Sequence, residues 1–172
     1  MATTAMNTYS FSILVKEGFH PPVTRRVDGA DVFPGMPVTC EGETFPDVCL
    51  PDGIGDSVYG VTGLLENQDI GTVYANNAEI PIYKTGEGAI VYMYASAVSG
   101  ATITAGDIMV ADCVAAVGYV QTLKKALDAL VADYTSTLLA TTILKIFSIV
   151  GRACDTSAST GSARPVRILL SI

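Results

Sequence analysis

One order of turns and strands occurs twice in this chain. Pro34-Gly35-Met36-Pro37-Val38 is a turn entering a strand, Ser57-Val58-Tyr59-Gly60-Val61-Thr62-Gly63 is an apolar run carrying glycine, and Glu79-Ile80-Pro81-Ile82-Tyr83 is a closing strand. Thr104-Ala105-Gly106-Asp107-Ile108-Met109-Val110, Ser148-Ile149-Val150-Gly151-Arg152-Ala153 and Pro165-Val166-Arg167-Ile168-Leu169-Leu170 repeat that order. Turn residues feeding short β-branched runs are strand and hairpin signals. The chain therefore reads as mainly β, with two tandem small β-barrel modules. The structural turn residues of this reading are Pro34, Gly35, Gly60, Gly106, Asp107 and Gly151.

The spacings locate a difference between the copies. Gly106 follows Gly35 by 71 positions, whereas Gly151 follows Gly60 by 91, so the second copy is longer by 20 residues between turn and glycine run. Leu123, Leu127, Leu130 and Val131 fall at i, i+4, i+7 and i+8, a single apolar stripe with Lys and Asp opposite. One insertion of about the length of Thr122 to Thr141, helical in its first half near residues 122–134, accounts for the added length.

Three segments follow: an N-terminal arm at 1–26, a first β-module at 27–94 and a second at 95–172. Residues 1–10 are small and polar. Phe11 to Val15 can pair as an edge strand, and Pro21-Pro22 withholds the backbone donors a ladder needs. The stretch reads either as an arm lying across a partner or as a linker to the first barrel strand. In the first module Val38 to Cys40, Val48 to Leu50, Ile70 to Tyr74 and Ala89 to Met93 are candidate strands. Pro81 points to an edge position for its strand. In the second, Ile108 to Val110 and Ala115 to Val120 are the first strands.

Composition narrows the function classes. At 49% hydrophobic and 16% charged, the chain carries fewer charges than the roughly 25% usual for globular domains. Such an excess fills a barrel core or faces another chain. A net charge of −7, with few scattered cations, argues against a nucleic-acid partner, because phosphate backbones require several cations on one face. The start lacks the basic and apolar regions of a secretory signal. The apolar runs are too short or too interrupted to span a membrane as helices, so a soluble chain is expected.

No constellation for bond chemistry emerges. His20 is the sole histidine and lies beside Pro21 and Pro22, a poor setting for a positioned base. Cys40, Cys49, Cys113 and Cys154 form no C-x-x-C pair, so buried free thiols are expected over a zinc site. A Cys40–Cys49 bridge across a hairpin stays open. Asp52 with Asp56, and Glu66 with Asp69, are the only carboxylate groupings that suggest a hydrolytic or ligand-binding barrel. No cofactor, no metal and no enzymatic activity are expected.

Ile103-Thr104-Ala105-Gly106-Asp107-Ile108-Met109-Val110, Val117-Gly118-Tyr119-Val120, Ile149-Val150-Gly151-Arg152-Ala153 and the Pro165 to Leu170 strand together resemble the capsid decoration, or cement, proteins of tailed viruses. The resemblance is a pattern of turns and strands that covers the second module well and the first more loosely. It implies a small β-barrel or tulip-like fold that binds the outside of an icosahedral shell, with the major capsid protein and further copies of itself as partners. A trimer is the oligomer it implies, on the outer surface of the virion. The duplication and the inserted helix depart from that pattern. With an arm that orders on the shell, the contact residues would be Phe11, Ile13, Val15, Lys16, Phe19, Pro21, Pro22, Arg25 and Arg26. A self-assembling shell subunit is the remaining alternative.

Overall fold

The computed structural model describes residues 14–16, 21–29, 31–40, 47–51, 56–66, 69, 71–96, 102–112, 117–131, 148–158 and 164–170. The architecture is mainly β, with one short helix among the described residues. The strands are β1 (Leu14–Lys16), β2 (Val23–Val27), β3 (Pro37–Thr39), β4 (Asp47–Val48), β5 (Val58–Thr62), β6 (Glu79–Lys84), β7 (Ile90–Ala95), β8 (Ile108–Asp112), β9 (Tyr119–Thr122), β10 (Ile149–Ala153) and β11 (Arg164–Leu169). Helix α1 (Leu123–Val131) follows β9 directly.

One sheet has the order β1-β7-β11-β10-β8-β9 and is nearly closed into a barrel, because β9 also pairs parallel with β7 at Ala95 and Val120. Alternation explains its core: Val91, Met93 and Ala95 of β7, and Val166 and Ile168 of β11, point to one side. Leu170 continues the β11 face, and Met109, Val120 and Val150 complete it. The other sheet has the order β3-β5-β6-β2-β4, with β2 and β4 parallel. Its two outer strands approach through Thr39 and Cys49, which exchange backbone hydrogen bonds of 2.9 and 3.1 Å. Val27, Val38, Val48, Ile80 and Ile82 fill it, with Val32 and Tyr74 from the connections. The sheets meet through β5, whose Val58 and Val61 belong to the core of the β7–β11 sheet.

Gly35 and Gly106 sit in their turns at positive φ, 81° and 93°, where glycine is tolerated without strain. The Gly35 N–H donates to the Thr62 carbonyl at 2.9 Å, and the Gly106 N–H to that of Ala153 at 2.8 Å. Gly60 and Gly151 have another purpose. Each sits beside a register break, in β3–β5 and in β8–β10. A Cβ on Gly60 would lie 2.6 Å from both the Ile82 side chain and the Tyr83 carbonyl oxygen. On Gly151 it would overlap the Leu169 carbonyl.

Several sequence expectations are corrected. The arm does not extend to residue 26, because β2 lies between β6 and β4 and is paired along both edges. Strand β7 belongs with β8–β11 and not with the first module, since its whole length pairs with β11. The chain changes sheets at Gly86 and Gly88, both at positive φ, where the sequence reads as an ordinary turn within the first module. Pro81 is not on an edge strand: β6 lies between β5 and β2. Its carbonyl accepts from Gly63 at 2.7 Å, so its nitrogen faces the point where β5 has ended and no donor is required. Thr72 to Tyr74 form no strand. Tyr74 instead is buried, its N–H donating to the Val32 carbonyl and its hydroxyl to that of Gly63. The second strand of the later module begins at Tyr119, after a turn through Gly118 whose φ is 86°.

The helix appears where the apolar stripe places it. Leu123 and Leu127 are half-buried, Ala126 is buried, and Lys124 pairs with Asp128 one turn away on the exposed side.

Gly→Ala at ordinary φ stabilises by about 0.4–1 kcal/mol through the unfolded chain, whereas forced overlap in a packed core costs about 1–3 kcal/mol. The overlap with backbone decides the sign. Gly60→Ala and Gly151→Ala are each expected to lower the urea midpoint with an unchanged slope; a raised midpoint would show the close approach to be relaxed.

Candidate functional site

Strand β2 brings two of the expected contact residues to different environments. Val23, Arg25 and Val27 alternate toward the core of their sheet, while Thr24 and Arg26 face outward. Arg26 makes a bidentate pair with Asp47 on the neighbouring β4, Nε to Oδ1 at 2.8 Å and Nη2 to Oδ2 at 2.5 Å. The hydrogen bond from Arg26 holds the Asp47 carboxyl below the usual range, against the opposing effect of burial. A similar fork joins Arg167 to Asp155, with both bonds at 2.5 Å, and lowers the Asp155 pKa for the same reason. These two arginines are therefore engaged in tying the protein to itself.

Arg25 has a different role. Its Nη2 donates to the Tyr59 hydroxyl at 2.6 Å, its Nη1 to the Thr24 carbonyl at 2.9 Å, and its guanidinium carbon lies 5.3 Å from the Tyr59 ring centroid. Lys84, at the end of β6, places its Nζ 5.9 Å from the same centroid. Cations near a ring face are attracted to its quadrupole. Tyr59 thus gathers two positive charges at one end of the sheet.

Beside them opens a groove of about 520 Å³ lined by Thr39, Cys40, Asp56, Ser57, Val58, Tyr59, Lys84 and Thr85. Thr39 Oγ1 donates to the Ser57 carbonyl at 2.8 Å, and Thr85 Oγ1 to that of Val58 at 3.2 Å, so these hydroxyls hold the rim. Burial pushes the Cys40 thiol up and the Arg25 charge pulls it down, with burial the larger effect. A second, more apolar groove of about 340 Å³ runs between α1 and the β8–β9 hairpin, lined by Asp107, Ile108, Thr122, Leu123, Lys124, Leu127 and Asp128.

The remaining expected residues separate. Pro21 and Pro22 are exposed ahead of β2. Val15 and Lys16 fall in β1, which joins the edge of β7. Phe11, Ile13 and Phe19 lie outside the described residues, as do His20, Asp52 and Cys113. Glu66 and Asp69 are exposed, and Asp56 lines the larger groove. Cys40, Cys49 and Cys154 are free thiols, so no Cys40–Cys49 bridge is present. Pro34, Gly35, Gly106 and Asp107 form the turns assigned to them; Asp107 Oδ2 accepts from the Thr104 N–H at 2.8 Å. Among the described residues no group of three His, Cys, Asp or Glu converges as a metal site. No helix among them is long and apolar enough to cross a membrane.

Sequence reasoning missed Tyr59 and Lys84. The available signal was the inward series Ile80, Ile82, Lys84, in which a cation takes the third position. No protein-family model, curated protein or solved structure matches the chain.

The two arginine–carboxylate forks generate a pH dependence. Asp47 and Asp155 are depressed in the folded state, so their contribution is complete above the unfolded carboxylate value of about 3.9 and is lost as pH falls through the depressed folded values. Thermal melts are expected to fall steeply below about pH 4. Asp47→Asn combined with Asp155→Asn should flatten that fall while lowering stability at pH 7; an unchanged acid slope would show that neither pair contributes.

Proposed function

We propose that this chain is a capsid decoration protein, built from two copies of one small β-barrel, that stabilises an icosahedral viral shell from outside by non-covalent contacts. The observation that carries this reading is a ladder repeated residue by residue. Matching β2–β6 one for one with β7–β11, the neighbours correspond: β3–β5, β5–β6 and β6–β2 antiparallel with β2–β4 parallel, against β8–β10, β10–β11 and β11–β7 antiparallel with β7–β9 parallel.

The irregularities correspond as well. Val38 opposite Gly60 and Thr39 opposite Val58 match Met109 opposite Gly151 and Val110 opposite Ile149. The Thr62 N–H donates to the Met36 carbonyl as that of Ala153 does to Asp107, and the Gly63 N–H to Pro81 as that of Cys154 does to Arg167. A register break and its flanking turn bonds are unlike generic sheet features, which favours duplication over two similar sheets formed independently. Helix α1 falls between β9 and β10, the interval where the sequence copies differ in length, and so has the place of an insertion.

The repeated unit bears on function through the resemblance of its second copy to decoration proteins. A shell stabiliser needs rigid, complementary surfaces presented many times, and multivalency converts weak contacts into firm attachment. β1 also illustrates how an N-terminal segment can be held: Leu14 and Lys16 pair at the edge of β7, which is strand addition. The shell contact is assigned to the segment before β2, with the major capsid protein and further copies, as a trimer, for partners.

Co-sedimentation with shells of the virus that encodes the chain tests the proposal. The full chain is expected to pellet with shells and, alone, to run as a trimer by light scattering. Deleting residues 1–13, which leaves β1 in place, should reduce retention by about tenfold or more. Absence of pelleting by the full chain rejects the decoration role, whereas undiminished retention of the truncated chain rejects the arm.

A further inference from the structure

The matched ladders expose one place where the two sheets differ in chemistry. At the inward positions Met93, Val150 and Leu170 the second sheet is fully buried and apolar. By register, the first sheet has Arg25, Tyr59 and Lys84 there. Three buried apolar residues of the second sheet are thus matched in the first by a guanidinium, a phenol and an ammonium, and Tyr59 and Lys84 line a groove of about 520 Å³. Barrel mouths with a few convergent polar groups are common ligand sites.

The donors available there define what fits. Tyr59 accepts a hydrogen bond from Arg25, which leaves its own hydroxyl proton to donate, and no acceptor for it is found among the described residues. Lys84 likewise has no carboxylate or carbonyl partner among them; its only recorded contact is with the Tyr59 ring. The Thr39 and Thr85 hydroxyls are already engaged on backbone carbonyls. Among the described residues lining the groove, Lys84 brings a positive charge and Asp56 a negative one, in a chain whose overall charge is −7. An anion drawn to Lys84 also meets Asp56, whose repulsion is smaller for a monoanion than for a dianion.

We infer that the open end of the first sheet binds a carboxylate, held by the Lys84 ammonium and the Tyr59 hydroxyl, with Arg25 orienting and polarising Tyr59 from behind. Charge-assisted hydrogen bonds from an ammonium and a phenol are short and strong relative to neutral ones. The comparison of positions uses the duplication proposed above, but the site itself stands on the geometry of Arg25, Tyr59 and Lys84.

The test is an NMR titration of the full 15N-labelled chain at constant ionic strength, with acetate, with the blocked peptide Ac-Gly-Glu-Gly-NH2, and with phosphate and chloride as controls. Saturable shifts are expected at the amides of Tyr59, Lys84 and Thr85 with both carboxylates and not with the controls. Lys84→Met and Tyr59→Phe should each weaken binding by about tenfold; Tyr59→Phe retains the ring, so it carries the test if Lys84→Met misfolds. Tighter binding of the peptide assigns the natural carboxylate to an acidic protein segment, and equal binding assigns it to a small organic acid. Shifts that do not saturate, that phosphate or chloride reproduce, or that survive both substitutions overturn the proposal. Shell binding is read independently, so either result can fail without the other.

Discussion

Two close approaches of backbone to backbone set the shape of this molecule. Where β5 and β10 carry an extra residue, the next position comes so near the adjacent strand that a methyl group has no room, and Gly60 and Gly151 occupy those positions. A bulge adds twist and bends its strand, and bending is what brings the far strands of a five- or six-stranded sheet back toward each other. The parallel contacts β2–β4 and β7–β9 are short, two residue pairs and one. They depend on that curvature, since alone they contribute little.

The curvature also decides which side chains share a core. Each sheet wraps its own apolar set, yet Val58 and Val61 on the outer face of β5 are counted into the core of the other sheet, with Leu64 and Tyr83 packed alongside. The first sheet therefore has apolar residues on both faces along one strand, and there the low charged fraction of the chain finds a use. Burial of those side chains couples the sheets at about 1.5–3 kcal/mol for each fully buried valine. Part of the apolar surplus read from composition is thus spent inside the chain, between its halves.

The turns, the glycine runs, the closing strands and the helix were legible because each depends on local chemistry: positive φ at Gly35 and Gly106, a missing Cβ at Gly60 and Gly151, an i, i+4 stripe from Leu123. Partnership between distant strands was not. Ala89 to Met93 could be recognised as a strand, but nothing local distinguishes pairing with β6 from pairing with β11, which lies about seventy residues on. The pairing of β2 was hidden for the same reason, and Pro81 misled because its tolerance depends on where β5 ends. Tyr59 and Lys84 escaped notice because neither belongs to a motif; they come together only when β5 and β6 pair.

β1 lies far from its neighbour in sequence. Among the described residues the first strand lies on β7, in the second sheet, and β2 follows in the first. A pull applied at Leu14 therefore loads two residue pairs at the rim of the later sheet before it loads β2. With two residue pairs to break, β1 would detach from β7 at a lower load than β11, which shares six pairs with that strand.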